Sequence, residues 1–205
     1  MRIAILVEGK TEKAFLPHLR SYLAGPLAGG MPNLDVLPYD GRIPRGPKLR
    51  RVVEGLLRDR HNPADHVIAL TDVYTGAQPP DFPTASDARR LMREWVGSNG
   101  RFHPHVALHD FEAWLLPYWP RIQQLAGHNR VAPGGAPEAV NHNNPPAHRI
   151  REIFQIGTCR DNYVKARDAG RILQGSDLAV SIARCSELKA LVNTILTACG
   201  HAGIP

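Results

Sequence analysis

Each of three short apolar runs in this 205-residue chain is followed within four residues by acidic side chains: Glu8, Asp72, and the pair Asp110 and Glu112. Unbroken apolar runs of this length are typical of strands covered on both faces in a parallel sheet. Because the carboxyl ends of neighbouring parallel strands meet at one edge of the sheet, we expect these carboxylates to lie together. Carboxylate oxygens are the ligands that Mg²⁺ prefers in proteins, and Mn²⁺ accepts the same set. The pattern therefore predicts a site for Mg²⁺ or Mn²⁺, with these four residues as candidate ligands.

Each of these acids also has a purely structural interpretation. Glu8 can be a solvated turn residue, and Asp72 can be a helix or turn cap. Residues two apart do not share a helix face, so at most one of Asp110 and Glu112 is expected to point at the metal. We favour Glu112 for that role and treat Asp110 as an N-cap or a second ligand. His109 is interpreted as a hydrogen-bonding spacer in preference to a ligand, because Mg²⁺ prefers oxygen.

The elements that must position these residues alternate along the first half of the chain. Apolar runs predict strands at 3–7, 35–37, 66–71 and 103–108. Apolar residues at helical spacing predict helices at 11–23, 48–60 and 85–96. After Leu108 the patterns predict helices alone, at 147–154, 162–173, 177–183 and 185–199. The sequence thus predicts an α/β fold with a mainly parallel sheet flanked by helices, and a C-terminal helical extension.

We expect these elements to form one compact unit with three parts. Residues 1–116 form the α/β core, the Pro/Gly-rich residues 117–146 form a connection, and residues 147–205 form the helical extension packed on the core. A chain of this length is large enough to bury a proper core as one domain.

The basic residues are concentrated in one segment. The formal net charge of +6 favours a polyanionic partner. The candidate contacts to nucleic acid are Lys10, Arg42, Arg45, Lys48, Arg50 and Arg51. If 48–60 is a helix, its cations occupy the outer face, which is either a solvated surface or a track for phosphates. Aromatic residues are absent from 42–60, so base stacking is not indicated within that segment.

Several protein classes are disfavoured by the sequence. No apolar run approaches the roughly 20 residues that cross a bilayer, and the chain turns polar after Val7, so we expect neither a membrane span nor a signal peptide. The protein is therefore expected to be cytoplasmic. Cys159, Cys185 and Cys199 lack zinc-type spacing, and no H-E-x-x-H motif occurs, which argues against a zinc hydrolase. No P-loop occurs either, so an ATPase role belongs to some other chain.

One string at the amino terminus carries a resemblance to a known domain. V-E-G-K-T-E at residues 7–12 resembles the opening of the Toprim domain, the metal-dependent module of topoisomerases, bacterial primases and the nucleases of the overcoming-lysogenization-defect type. The resemblance implies that Glu8 acts as general acid or base beside a magnesium ion. The Toprim pattern has Asp-x-Asp at the second strand end, whereas this chain has Asp72-Val73-Tyr74. A tyrosine hydroxyl is a poor ligand for Mg²⁺, so a second ligand must come from elsewhere or the site is weaker.

A second string narrows the resemblance. H-D-F-E-A-W-L-L at residues 109–116 is similar to a signature of the bacterial Toprim-like family known as domain of unknown function 4276. The match continues in order through T-D-V-Y-T-G, P-E-A-V-N-H and Y-V-K-A-R-D-A-G, and together the strings cover most of the chain. It implies the Toprim fold with a helical extension, and phosphodiester chemistry. Lys165, in the last string, fits a phosphate or the developing charge of a phosphoryl transition state, and its alternative interpretation is a solvent-exposed helix lysine.

Two functions are therefore expected from different classes. The first is a Mg²⁺-dependent enzyme that cleaves phosphodiesters in nucleic acid, with DNA favoured over RNA, in a bacterial defence system. In it, Glu8 and Lys165 are catalytic, and Glu8, Asp72, Asp110 and Glu112 are the candidate metal ligands. The alternative is a non-catalytic partner subunit of an ATPase, in which the missing second aspartate marks lost catalysis.

Overall fold

The computed structural model describes residues 1–39, 41–73, 82–140, 144–159 and 162–205. Its strands are β1 (Arg2–Val7), β2 (Asn33–Pro38), β3 (His66–Asp72) and β4 (Phe102–Ala107). Its α-helices are α1 (Lys10–Ala24), α2 (Pro47–Leu57), α3 (Ala85–Val96), α4 (Trp119–Ala126), α5 (Pro146–Ile156), α6 (Lys165–Leu173), α7 (Leu178–Arg184) and α8 (Ser186–Ala198). Two 3₁₀ helices span Phe111–Tyr118 and Pro137–Ala139. Within the described ranges, none of the helices has both the length and the apolar character needed to cross a membrane.

The four strands form one parallel sheet in the order β2-β1-β3-β4. The register pairs Ile3 of β1 with Leu34 of β2 and with His66 of β3, and it pairs Val67 of β3 with Phe102 of β4. Because the strands run the same way, their carboxyl ends lie at one edge of the sheet. The predicted α/β fold with a parallel sheet flanked by helices is confirmed, and the predicted strands form with ends shifted by a few residues.

Helices cover both faces of the sheet, which explains the unbroken apolar runs of its strands. On one face, Ile3 and Ile5 are buried in a cluster with α1, the 3₁₀ helix Phe111–Tyr118 and the C-terminal helices. On the other face, Ala4 and Leu6 are buried against residues of α2 and α3. Successive residues of β1 thus point into opposite layers, as the period of a strand requires.

The C-terminal helices pack into the first of these two layers. Ile150 of α5 and Ile172 of α6 are fully buried in the same cluster as Ile3. Residues 117–146, expected to be a connection, include α4, whose Trp119 and Ile122 are also buried in this cluster. The division of the chain into core, connection and extension stays a prediction.

Candidate active site

The carboxyl edge of the sheet brings the acidic residues of three strand ends to one place. Glu8 follows β1 directly, Asp72 is the last residue of β3, and Glu112 follows β4 on the 3₁₀ helix Phe111–Tyr118. All three line a cleft of about 640 Å³. The expected position of these acids at neighbouring strand ends is therefore what the structure shows.

The Glu8 side chain is buried and lines this cleft. Its side chain accepts a hydrogen bond from the hydroxyl of Thr71, the residue before Asp72 on β3. Burial raises the pKa of Glu8 to about 7, the Thr71 hydrogen bond opposes that rise, and the charge of Glu12 adds to it. The charge of Arg42 acts in the opposite direction. The side chain is thus buried, oriented by a neighbouring strand and close to a second acid.

Asp72 receives the most repulsion from the other acids. Its Oδ1 accepts a hydrogen bond from the backbone N–H of Phe111 at 3.1 Å, so it caps the 3₁₀ helix that follows the neighbouring strand. Burial raises the pKa of Asp72 well above its usual range, and the charges of Glu8 and Asp110 raise it further. The structural interpretation of Asp72 as a helix cap is therefore correct for one of its two oxygens, and Asp72 also faces the cleft.

Asp110 occupies the N-cap position of the 3₁₀ helix Phe111–Tyr118, but its side chain makes no cap hydrogen bond there. Its Oδ2 accepts instead from the backbone N–H of Ala147, in the first turn of α5, at 3.1 Å. Its Oδ1 is buried and has no hydrogen-bond partner among the described residues. Burial and the charge of Glu112 raise the pKa of Asp110 to about 7. The sequence predicted a cap at this residue but assigned it to the wrong helix, because the α5 terminus is distant along the chain.

Glu112 is fully buried and bonded to the segment that begins α6. It accepts hydrogen bonds from the hydroxyl of Tyr163 at 3.3 Å and from Nζ of Lys165 at 3.2 Å. The Lys165 side chain is 47% exposed, so it reaches from solvent into the cleft. Burial lowers the pKa of Lys165, but the charges of Glu112 and Asp110 outweigh that effect and the net shift is upward. Lys165 is therefore a charged lysine directed at the acids.

The position of Lys165 depends on a buried ion-pair cluster one turn further along α6. Asp168 is fully buried and accepts the backbone N–H of Val164 at 2.7 Å, which fixes the start of the helix. The same carboxylate accepts from Arg167 at 2.9 Å and from Arg171 at 3.1 Å. Charged hydrogen bonds of this kind are stronger than neutral ones. They hold the helix end that presents Lys165 to the cleft.

Sequence reasoning missed Glu12 and Thr71 as residues of the site. Glu12 belongs to the V-E-G-K-T-E string but was not among the candidate ligands, yet it is buried and lines the cleft. Burial and the charge of Glu112 raise its pKa, and the backbone N–H groups of Glu12 and Gly9 oppose that rise. The sequence signal that could have identified Glu12 was its position in the first turn of α1, four residues after Glu8. There a side chain can turn back toward the end of β1.

The basic residues divide into two groups. Lys10 lines the cleft and Arg42 acts electrostatically on Glu8, so both belong to the site. The other candidates are placed on or before α2, outside the described lining of the cleft: Arg45 against the ring of Phe82, Lys48 exposed to solvent, Arg50 paired with Glu54 at 2.8 Å, and Arg51 bonded to the carbonyl of Pro47. Their role in nucleic-acid binding stays a prediction.

The donor set fits a hard divalent cation, although the part of the chain that is described has no three His, Cys, Asp or Glu side chains arranged around one metal position. Mg²⁺ is commonly bound through one or two carboxylates and keeps several waters, so three converged protein ligands are not required. The orphaned Oδ1 of Asp110 and the mutual repulsion at Asp72 indicate a place where a cation would be stabilised. The residues of the Asp-x-Tyr pattern beyond Val73, including Tyr74, lie outside the described ranges.

The family described as "Domain of unknown function (DUF4276)" matches residues 7–196. The chain belongs to this family. Among proteins of curated function, none matches the DUF4276 chain.

Two solved structures to which this chain is similar are C-terminal regions of OLD proteins. The C-terminal region of the Burkholderia pseudomallei OLD protein has a TM-score of 0.56 and 15% sequence identity, over 97% of this chain and 98% of that chain. The C-terminal region of the Xanthomonas campestris pv. campestris OLD protein, phased with mercury, has a TM-score of 0.43 and 13% identity, over 93% and 96% of the two chains. The first likeness shows that this DUF4276 protein shares the Toprim-type fold of an OLD C-terminal region.

Proposed function

We propose that this DUF4276 protein is a Mg²⁺-dependent enzyme that cleaves phosphodiester bonds in nucleic acid. The observation that carries the proposal is the group of buried carboxylates at the carboxyl edge of the sheet, which a lysine approaches from the other side of the cleft. Such a group is costly to bury unless cations neutralise it, and carboxylates in a cleft with perturbed protonation are typical of functional sites. The fold, shared with an OLD C-terminal region, supports the same class of chemistry by analogy.

Glu8, Asp72 and Glu112 would surround the cation, one or two of them as direct ligands and the rest through its bound waters, with Glu12 and Asp110 beside them. When bound, Mg²⁺ or Mn²⁺ would polarise a phosphoryl oxygen and lower the pKa of a bound water. The chain contributes the arrangement of the acids, because Thr71 orients Glu8, the Phe111 N–H orients Asp72, and Tyr163 orients Glu112. These hydrogen bonds fix the ligands before any metal arrives.

Two side chains are assigned to the reaction itself. Glu8 exchanges a proton with the attacking water or the leaving oxygen, as a carboxylate in contact with the substrate can. Lys165 places its ammonium against the phosphate oxygens, where negative charge increases in the transition state. Its ion pair with Glu112 keeps that ammonium in the cleft when no substrate is bound.

Cations around the cleft would attract the phosphate backbone. Lys10 and Arg42 lie beside the acids, and the cations of α2 extend the positive surface away from the cleft. Binding through these groups is expected to be independent of base sequence. We infer DNA as the preferred partner over RNA, in a bacterial defence setting, on the sequence resemblance alone.

One structural observation favours the alternative function, a non-catalytic partner subunit of an ATPase. Asp72 and Asp110 cap helices, and they would stabilise the fold without any metal. The acids are therefore not by themselves proof of catalysis, and the position two residues after Asp72 holds a tyrosine.

Cleavage assays separate the two functions. Plasmid and short oligonucleotides are incubated with the protein and Mg²⁺ or Mn²⁺, with and without EDTA, beside the double variant Asp72→Asn, Glu112→Gln purified in parallel. The nuclease proposal expects cleavage that requires metal and is lost in the double variant. Metal-independent cleavage, or equal cleavage by the double variant, would indicate a contaminant and contradict it. No cleavage by the parent protein, together with no Mn²⁺ binding in calorimetry, would favour the partner-subunit function.

A further inference from the structure

The loop after β2 is attached to the candidate catalytic acid. The backbone N–H of Tyr39 donates to the carbonyl of Val7 at 2.8 Å, and the N–H of Gly41 donates to the carbonyl of Glu8 at 3.1 Å. Gly41 has φ +96°, a conformation that side chains with Cβ rarely adopt, and the chain turns there so that Arg42 acts on Glu8. The loop thereby brings Tyr39 and Arg42 to the site that contains Glu8.

Apolar side chains from two segments also line the cleft that contains the acids. They are Pro38, the last residue of β2, with Tyr39, and Val164 with Ala166 at the start of α6. Val164 is 48% exposed, which is unusual for a valine placed beside a charged site. Tyr39 is only partly buried, so part of its ring remains accessible from the cleft. The acids therefore share the cleft with apolar side chains from two segments of the chain.

The size and chemistry of this cleft select a nucleotide that is not base-paired. Its volume of about 640 Å³ is in the range of pockets that hold small molecules, which is about 300–1,000 Å³. A duplex presents phosphates and groove edges to a protein, while the faces of its bases are covered by stacking. An unpaired nucleotide offers a base face that can stack on an aromatic side chain. Its phosphate can then reach the acids and Lys165.

We propose that the cleft takes an unpaired nucleotide whose base stacks on Tyr39 and lies against Val164. The substrate class is therefore single-stranded nucleic acid, or the unpaired end or flap of a duplex. Lys10, which lines the cleft, and Arg42, whose charge acts on Glu8, hold the adjoining phosphates. This inference rests on the proposed function, and it assigns to Tyr39 a role that the basic segment itself, which lacks aromatic residues, does not supply.

The experiment measures binding apart from cleavage. Anisotropy of labelled oligonucleotides is followed with Ca²⁺ in place of Mg²⁺, for a single strand, a blunt duplex and a duplex with an unpaired tail. A single 2-aminopurine in the strand reports stacking through loss of its fluorescence. The variants are Tyr39→Ala, Tyr39→Leu and Tyr39→Phe, and Tyr22→Ala near the opposite end of α1 is the matched control. Circular dichroism checks the fold of each variant.

We expect the parent protein to bind the single strand and the tailed duplex about 10-fold more tightly than the blunt duplex. Tyr39→Ala should lose about 10-fold in affinity for the single strand and the fluorescence change with it, while Tyr39→Phe and Tyr22→Ala keep both. Tyr39→Leu should bind as Tyr39→Ala does, and it carries the test if the alanine variant does not fold. Equal affinity of the parent for the single strand and the blunt duplex would overturn the inference. Parental affinity of both Tyr39→Ala and Tyr39→Leu for the single strand would also overturn it.

Cleavage by the same proteins in Mg²⁺ or Mn²⁺ separates this inference from the proposed function. Stacking-dependent binding without cleavage would support the inference and contradict the nuclease. Metal-dependent cleavage that is equal for single strands and duplexes, and unchanged in Tyr39→Ala, would support the nuclease and overturn the inference.

Discussion

Two regions of this protein bury several ionisable side chains together, and the two groups differ in how their charges can be neutralised. At the carboxyl edge of the sheet, the acids of the cleft repel one another. Along β3 and β4, away from that edge, three histidines cluster. His66 Nδ1 lies 3.1 Å from His103 Nε2, and His105 Nε2 lies 3.0 Å from Oγ1 of Thr194 on α8.

His105 becomes neutral without a ligand. Burial, together with the charges of His103, Arg89 and Arg93, lowers the pKa of His105 to about 4, so the imidazole is uncharged at neutral pH. A neutral imidazole is at once a donor and an acceptor, and two imidazoles can pair with each other. A carboxylate is only an acceptor, so neighbouring carboxylates cannot satisfy one another. A perturbed pKa alone therefore does not mark a functional site, and neighbouring carboxylates differ from the histidines in that a cation is needed to neutralise them.

The largest expected effect is on catalysis at Glu8. Glu8→Gln keeps the size of the side chain and its hydrogen bond from Thr71 but cannot exchange a proton, so turnover should fall by about 10²- to 10⁴-fold. Initial rates of oligonucleotide cleavage measure this. Glu54→Gln, on the exposed side of α2, should cleave at the parental rate. A Glu8→Gln enzyme with parental turnover would remove Glu8 from the reaction.

Lys165→Met tests the role of the positive charge that lies beside the acids of the cleft. Turnover should fall by about 10²-fold, the scale of losing one donor to a transition-state charge. Affinity for Mn²⁺ should not decrease, because the lysine competes with the metal for Glu112. Calorimetric titration of Mn²⁺ and the cleavage rate are compared with those of Lys13→Met, an exposed lysine of α1. Weaker Mn²⁺ binding in Lys165→Met would show that the lysine organises the metal ligands instead.

The histidine cluster should make stability depend on pH. The pKa of His105 is about 4 in the folded protein but near the usual histidine value of 6.5 when the chain is unfolded, so the unfolded state binds the extra proton between these pH values. Stability is complete above about pH 6.5 and should fall by about 3 kcal/mol as the pH drops toward 4. Arg89 and Arg93 on α3 oppose protonation, and Glu187 on α8 is already paired with Arg89 at 2.5 Å.

Urea denaturation at several pH values, with His105→Gln beside the parent, measures this contribution. The glutamine can keep a bond to Thr194 and does not titrate, so the difference in stability between the two proteins should shrink on acidification. A difference that is constant from pH 7 to pH 4 would contradict the assignment.

Asp72→Asn should separate stability from metal binding. The amide oxygen can still accept from the Phe111 N–H, while the repulsion from Glu8 and Asp110 disappears. Without metal, the free energy of unfolding should rise, because a buried neutral amide replaces a buried carboxyl group that the neighbouring acids repel. Thermal melts in EDTA and in Mg²⁺ should show a higher melting temperature in EDTA than the parent has, and little gain from Mg²⁺. High Mn²⁺ should partly restore cleavage. Glu94→Gln, on the surface of α3, should change neither value.

The smallest effect is expected at the outer cations of α2. Binding of a labelled oligonucleotide should weaken steeply as salt increases, and Lys48→Ala should reduce the slope of log affinity against log salt by about one. The loss of affinity should be the same for different base sequences. Arg101→Ala, just before the amino end of β4, is the control. Binding that is insensitive to salt would rule out a phosphate track on α2.

The fold could be predicted from the sequence because its signals are local. Strands buried on both faces read as unbroken apolar runs, and the placement of Glu8, Asp72 and Glu112 follows from the parallel sheet alone. The partners of these acids could not be predicted in the same way. Asp110 bonds Ala147 and Glu112 bonds Lys165, and these pairs are 37 and 53 residues apart in the chain.

The role proposed for Tyr39 could not be predicted from the sequence for a related reason. Tyr39 lines the same cleft as Val164, which lies far along the chain just before α6, so neither residue has a signature of its own in the sequence. The resemblance to the family did place Lys165 in a motif, although periodicity alone gave only a helix there. The local sequence pattern therefore predicts which residues lie at the strand ends. Contacts between segments that are distant in the chain determine the partners of each side chain.

The capping bonds made by the acids have a consequence for how this protein can evolve. Asp72 and Asp110 hold the first turns of two helices, so a lineage that abandoned the reaction would still be selected to keep an oxygen acceptor at both positions. Asparagine meets that need, whereas alanine leaves a helix end without its partner. Glu8, which bonds the hydroxyl of Thr71, is under no such demand from a helix and would be free to drift first. Among related proteins, asparagine at both aspartate positions together with a changed Glu8 would therefore indicate that the fold was kept after the activity was lost.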